Sequence, residues 1–440
     1  MTQPTLAQHA LDIPRSGIRD VFDQVDSIPD VISLCVGEPS DTAAQHIVDA
    51  ACRSIQLGKT KYTNAVGIDR FRQAAAAYTS RVKGLVYDPD CEIQAVDGAT
   101  MGLFLALKAV VDPGDEVIIP SPFFTSYDAE VMLCGGVPVT IPLRADRHMQ
   151  LDADDIEDAI TPRTRAVIIN SPGNPSGAVT PAEELDRIAQ VCRRHGIWAI
   201  SDEVYHSFVF DNARVTPGTP TNADRTDVHD DSDDSYISDS VANTMPVAPS
   251  IASATGMKER TIVVDSLSKT FAMTGWRIGY LLAPAAIIEQ TGKIAELMHS
   301  SVNATAQYAG AAALDGPMNH VKSMRESYRR KRQIVLDPLE HCTALDLIEP
   351  QGAFYAFIDI TRTGMSSQEF STRLLNEQHV AVVPGDAFGK EGEGFIRLSY
   401  AGDARELREG VSRLRTFAED NCAPLRNRHT RAFHHIVAMA

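Results

Sequence analysis

The first group in this chain whose type and place suggest chemistry is Lys269. It follows a β-branched run, Thr261-Ile-Val-Val264, that reads as a short buried strand, and a small hydroxyl-rich link, Asp265-Ser-Leu-Ser268. A lysine just beyond a strand end in an α/β protein sits where open parallel sheets place their ligands. Such an amine can form a Schiff base with a carbonyl cofactor. Ser266, Ser268 and Arg277 add hydroxyls and a guanidinium fork suited to a phosphate. Taken alone, the stretch also fits a surface lysine beside an arginine that pairs with a carboxylate.

Other segments offer complementary groups. In Asp97-Gly-Ala-Thr100, Gly98 lets backbone approach closely, and the N–H groups of Ala99 and Thr100 open a helix towards an anion. An ordinary tight turn reads the same way. Asp202, in Ser201-Asp-Glu-Val-Tyr205, ends an apolar strand and needs a cationic partner, for which a pyridinium nitrogen or an arginine would serve. Phe124 could stack on a planar ring or simply fill core. Asn174, in the rigid loop Ser171-Pro-Gly-Asn-Pro-Ser-Gly177, and Tyr205 could both donate to a phenolate oxygen. Arg397 lies in an apolar strand, where a buried guanidinium calls for a carboxylate, and we expect that carboxylate to come from substrate.

The elements that would position these groups alternate from about residue 46 to 285. Strands at 92–96, 116–120, 165–170 and 198–202 are separated by helices at 68–82, 101–111 and 181–195. This pattern predicts a three-layer α/β/α domain around a mostly parallel sheet. Beyond Pro284, helices at 285–299 and 317–342 precede shorter strands at 353–358, 380–383 and 394–399 and a closing helix at 404–419. These predict a smaller α+β domain over 286–420, completed by an N-terminal arm and lead-in over 1–45. Residues 216–248 form an insertion with seven aspartates against the single Arg225 between Thr221 and Ser240. Such composition predicts a disordered surface segment. The tail 421–440 carries no readable role, and the run Arg329-Arg-Lys-Arg332 is expected on a solvated helix face.

Composition sets the boundaries. With 44% apolar and 22% charged residues, the 440-residue chain reads as globular. No apolar run reaches membrane-spanning length, and no secretory signal is visible. The seven scattered cysteines have no paired metal spacing, so no metal site is expected and a reducing cytoplasm is. A formal net charge of −17 argues against nucleic acid as partner.

Together, the set and order of these motifs closely resemble the fold-type I pyridoxal-phosphate aminotransferases of class I/II, in the aspartate and aromatic branch. The resemblance runs from about Ile13 to about Ala418 and rests on Asn174-Pro, Asp202-x-x-Tyr205, Ser266-x-Ser-Lys269, the Thr270–Tyr280 continuation and Arg397. It implies pyridoxal 5'-phosphate as cofactor, with Lys269 forming its Schiff base and Asp202 pairing with the ring nitrogen. Tyr205 and Asn174 are implied to bind the ring oxygen, Phe124 to stack on the ring, and Gly98, Ala99, Thr100, Ser266, Ser268 and Arg277 to hold the phosphate. Arg397 would clamp the substrate's α-carboxylate beside Gly37. Tyr62 matches the tyrosine that reaches the neighbouring subunit's phosphate, which implies a homodimer with shared sites.

The implied reaction moves the amino group of an L-amino acid to a 2-oxo acid, 2-oxoglutarate being expected, by a ping-pong route with Lys269 as proton shuttle. Thr100 stands where some aspartate-specific members carry a lysine, which inclines the expectation towards aromatic or broad donors. A carbon–sulfur β-lyase would use the same lysine and aspartate. A non-catalytic cofactor-binding regulator is the remote alternative, disfavoured by the acidic chain and the early start of the resemblance.

Overall fold

The computed structural model describes residues 4–14, 17, 21, 25, 28–210 and 245–422. Numbering strands along the chain, β3 (Glu116–Ser121) and β7 (Thr261–Ser266) are buried at every position. Parallel strands covered on both faces require such continuous apolar runs. The covering helices carry charge where their dipoles favour it. Ala182–His195 has Glu183 and Glu184 in its first turn and Arg193, Arg194 and His195 in its last. It ends at Gly196, whose φ of +68° suits a residue without a Cβ.

With β2 (Ile93–Val96), β4 (Val137–Pro142), β5 (Thr164–Asn170), β6 (Trp198–Asp202) and β8 (Gly279–Leu282), these strands form a seven-stranded sheet in the order β2-β8-β7-β6-β5-β3-β4. β8 alone is reversed, antiparallel to both β2 and β7, and the other four pairs are parallel, so the sheet is mostly parallel as expected. A second, antiparallel sheet has the order β12 (Val383–Pro384), β13 (Phe395–Ser399), β10 (Tyr355–Asp359), β9 (Asp346–Ile348). The lead-in strand β1 (Ile32–Ser33) pairs in parallel with β11 (Val380–Ala381), which ties the start of the chain to its last third.

Several expectations are corrected. Strand β4 was not anticipated because Pro138 and Pro142 interrupt its pattern, and as an edge strand it tolerates them. The Ala-rich helix Ala304–Asp315 was also not anticipated; it is buried around most of its circumference, so it shows little amphipathic contrast. The helix opening at Gly98 starts three residues before the expected Met101. The 329–332 run is not a uniformly solvated face. Lys331 is buried and donates to Ala401 O at 3.0 Å, and Arg332 donates to Pro350 O at 2.6 Å while stacking on Phe210. Of the proposed insertion, 216–244 lies outside the described residues, but Val247 and Ala248 are buried, with Ala248 N–H donating to His206 O. The tail beyond 422 lies outside them too.

Candidate active site

The carboxyl ends of β5, β6 and β7 meet the start of the helix Gly98–Val110 and the inner faces of β10 and β13 around a cavity of about 260 Å³. This is the place where open α/β sheets take their ligands.

Lys269 is carried on a short helical turn, Leu267–Thr270, directly after β7. The Ser266 hydroxyl caps that turn by accepting from Ser268 N–H at 3.0 Å and itself donates to Ser268 Oγ at 2.8 Å. The Lys269 Nζ reaches across the cavity and donates to Gly37 O at 2.6 Å. Burial pulls this amine down to about 8, although Glu38 favours its charged form. An amine at that value is a competent base near neutral pH.

Asp202 closes β6 at the cavity floor and is 4% exposed. Its Oδ2 accepts from Tyr127 Oη at 2.6 Å, and its Oδ1 accepts from Val204 N–H at 3.3 Å. Burial pushes the carboxyl up to about 6 against the pull of those donors. Asn170, at the end of β5, donates its amide to Asp202 O and accepts from Asn174 N–H at 2.8 Å. It thereby couples the floor to the loop that presents Asn174.

At one end of the cavity the Gly98 backbone lies close against Arg277. Gly98 has φ +79°, and a Cβ there would stand 2.5 Å from Arg277 Nη2. Arg277 donates to Thr274 O and Asp97 O at 3.0 and 3.3 Å, which aims its guanidinium along the same edge. Ala99, Thr100, Ser266 and Ser268 line this end, and Phe124 flanks the cavity against Tyr127 with ring centroids 5.7 Å apart.

At the other end Arg397, on β13, is 1% exposed. Its Nη2 donates to Cys35 O at 2.7 Å and its Nη1 to the Asn174 Oδ1 at 3.0 Å, while its Nε has no partner. Tyr355 and Phe388 sandwich the guanidinium at 4.5 and 4.8 Å. Among the described residues no carboxylate pairs with it. Burial disfavours its charge, so an incoming carboxylate would be strongly drawn to it. Tyr205 shares a hydrogen bond with Tyr355 through their hydroxyls at 2.8 Å.

The residues singled out in the sequence therefore line one cavity, with two exceptions: Gly98, which lies behind Arg277 at its edge, and Tyr62. Tyr62 is 89% exposed and contributes nothing to the cavity of its own chain. Six lining residues were not singled out: Leu103, Val204 and Thr274, and the hydrogen-bonding Tyr127, Asn170 and Tyr355. Asn170 had a signal, a polar residue ending an apolar strand; the two tyrosines sat in aromatic-rich segments that read as core.

The family model described as aminotransferase class I and II matches residues 29–414. The chain is 38% identical over 412 residues to the putative aminotransferase YugH of Bacillus subtilis, covering 94% of this chain and 98% of that protein. It is 38% identical to an aspartate aminotransferase of Pyrococcus abyssi, covering 91% and 94%. The structure is similar to that of an aromatic aminotransferase from Pyrococcus horikoshii, with a TM-score of 0.80 at 38% identity, covering 91% of this chain and 99% of that one.

Proposed function

This chain belongs to the class I and II aminotransferases, and on that premise we propose that it transfers the amino group of an aromatic or aspartate-like L-amino acid to 2-oxoglutarate, using Lys269. The family's cofactor is pyridoxal phosphate, and the residues present fit it. Gly98, which has no Cβ, lets the Arg277 guanidinium lie against the backbone at the end of the cavity lined by Ala99, Thr100, Ser266 and Ser268, a set of donors suited to a phosphate. Asp202 offers a buried acceptor for a ring nitrogen, and the Asn174 Nδ2 makes no hydrogen bond among the described residues. The cofactor supplies a carbonyl carbon and an electron-accepting ring that stabilises negative charge at the substrate Cα.

The protein supplies the rest. Arg397 binds the α-carboxylate and fixes the orientation of the Cα–H bond. Asp202 holds a proton on the ring nitrogen. The Lys269 amine, lowered to about 8, would take the proton from the substrate Cα and return it to the carbon on the far side of the amino nitrogen, two bonds away. Tyr127 and Asn170 keep Asp202 and the Asn174 loop in place. The donor's oxo acid leaves before 2-oxoglutarate enters, a ping-pong sequence. Loss of the visible cofactor band in a Lys269→Ala variant, together with loss of turnover, tests the lysine.

The observation that carries this reading is Arg397. It is a buried guanidinium without a carboxylate partner among the described residues, facing the cavity that holds Lys269 and Asp202. The names of the relatives span aspartate and aromatic donors, and Thr100 brings no cation to select a dicarboxylate. A homodimer with Tyr62 serving the partner's site accords with the exposure of that ring. A cytoplasmic setting accords with seven unpaired cysteines. Among the described residues no helix is long and apolar enough to cross a membrane.

The deciding experiment adds single amino acids to the loaded enzyme without an oxo acid. A donor that changes the visible spectrum, with recovery and glutamate formation on adding 2-oxoglutarate, supports transamination. Accumulation of pyruvate and ammonia instead would make the enzyme a β-lyase and overturn the reading.

A further inference from the structure

On the face of β6 and β7 turned away from the cavity, two acids stand side by side. Asp202 pairs with Val264, and Glu203 extends the register by donating its N–H to Val264 O at 3.0 Å. Side chains alternate along a strand, so Glu203 and Asp265 leave the cavity face to Asp202 and Ser266. Both acids are buried, at 3% and 1% exposure. Like charges on neighbouring strands repel, and a low dielectric sharpens the repulsion.

Lys83 answers both. It is the last residue of the helix Asp69–Lys83, and its Nζ lies 2.9 Å from Glu203 Oε2 and 2.6 Å from Asp265 Oδ2. Other groups face the cluster too, among them the buried Tyr87 hydroxyl, which feels the charges of Glu203 and Lys83. Ser201 and Ser250 hydroxyls donate to Glu203 Oε1 at 2.8 and 2.6 Å, and Tyr280 Oη donates to Asp265 at 2.9 Å. His206 Nδ1 is 3.2 Å from Asp265 Oδ2, and its Nε2 is 2.9 Å from Tyr78 Oη. On the cavity side, Tyr127 donates to Asp202, and the buried Glu130 feels the Asp202 charge.

As a stabilising device this cluster is a poor choice, since buried ion pairs are often no better than apolar residues of equal volume. Its position explains it better. The two acids are chain neighbours of Asp202 and Ser266, at the ends of the strands that present the floor carboxylate and the lysine turn. We propose that Lys83 is a positioning residue for the amino-transfer site: by bridging Glu203 and Asp265 it ties those two strand ends together and sets the amount of negative charge behind Asp202. Burial is the main cause that raises Asp202, and the Asp265 and Glu203 charges act in the same direction. The proposal rests on the roles given above to Asp202 and Lys269.

The test counts charge. Visible absorption of the pyridoxal-phosphate-loaded enzyme is titrated with pH for wild type, Glu203→Gln, Lys83→Met and the double variant. Removing an anion lowers the proton affinity of the site, so Glu203→Gln moves the spectral midpoint down by about half to one unit. Lys83→Met moves it up by a similar amount. The double variant, with the wild-type net charge, returns it near the starting value although the clamp is gone. A purely structural cluster would give shifts of one sign, or none, and no recovery; either result overturns the proposal. If Lys83→Met does not fold, Glu203→Gln and Asp265→Asn must both lower the midpoint, and failure to do so overturns it equally. A wild-type band that survives Lys269→Ala unchanged would instead refute the lysine assignment itself.

Discussion

Arg397 Nη1 donates to the side-chain oxygen of Asn174 at 3.0 Å, joining residues 223 positions apart in the chain. The bond commits the carbonyl end of the Asn174 amide to the guanidinium and turns its NH₂ end to the cavity. One side chain thus orients the group proposed for substrate and leaves a donor free for the proposed cofactor contact. Asn174→Asp would set a carboxylate against Arg397 where the substrate's own is expected. We expect KM for every amino donor to rise on the order of a hundredfold, with a smaller fall in kcat. Steady-state kinetics with aspartate and with phenylalanine check this; an unchanged KM for both would exclude Arg397 as the carboxylate site.

Gly37 illustrates how closely the cavity wall is fitted. A Cβ at this residue would stand 2.5 Å from Tyr355 Oη, and its carbonyl is the acceptor for Lys269 Nζ at 2.6 Å. Gly37→Ala therefore displaces either the tyrosine, which stacks on Arg397, or the backbone that holds the lysine. Activity is expected to fall by about tenfold or more, a cost of about 1–3 kcal/mol being usual for overpacking. Removing the hydroxyl in Gly37→Ala/Tyr355→Phe should recover part of that loss. A double variant no better than the single one would mean that the backbone, not the tyrosine, gives way.

The sequence made the large sheet legible because its strands are continuous apolar runs of ordinary length, as in β7 and in Trp198–Asp202. It made the candidate site legible because the groups with chemistry stand at the ends of those strands or just beyond them, as Asp202 and Lys269 do. What escaped reading has physical reasons. Prolines masked β4, and even burial masked the helix Ala304–Asp315. The partners Tyr127 and Tyr355 act through hydroxyls at the tips of rings that otherwise read as core. The bridge from Lys83 to Glu203 and Asp265 spans three separate elements, and no local pattern in the chain marks it.

Tyr62 gives the proposed homodimer a direct test. Its ring is 89% exposed, and Leu297 on the helix Ala285–His299 is exposed to the same extent. The neighbouring Thr63 N–H donates to Ser301 Oγ, which holds the Tyr62 segment near the end of that helix. If Tyr62 donates to the phosphate in the partner subunit, Tyr62→Phe should keep the dimer and weaken cofactor binding by about tenfold. Light scattering and equilibrium dialysis measure the two quantities separately. Normal cofactor affinity in a dimeric Tyr62→Phe enzyme would remove the tyrosine from the site.

Asp202 should cost the apoenzyme stability that the cofactor restores. Burial raises its carboxyl from an ordinary value of 3.8 to about 6. Well below pH 3.8, the folded and unfolded states both hold the proton, and the residue is neutral in its effect. As pH rises towards 6, the unfolded chain releases the proton first, so stability falls. Above 6 the whole penalty is present, at most about 3 kcal/mol for a shift of this size. Asp202→Asn carries no charge to desolvate. The apo variant is therefore expected to unfold at higher urea than apo wild type at pH 7.5, by about 1–3 kcal/mol, and to lose most of that advantage by pH 4.5. Adding pyridoxal phosphate should reverse the order, because only the carboxylate can pair with a protonated ring nitrogen. An apo variant that is less stable than wild type at pH 7.5 would show that the hydrogen bonds from Tyr127 and Val204 outweigh the desolvation of the charge.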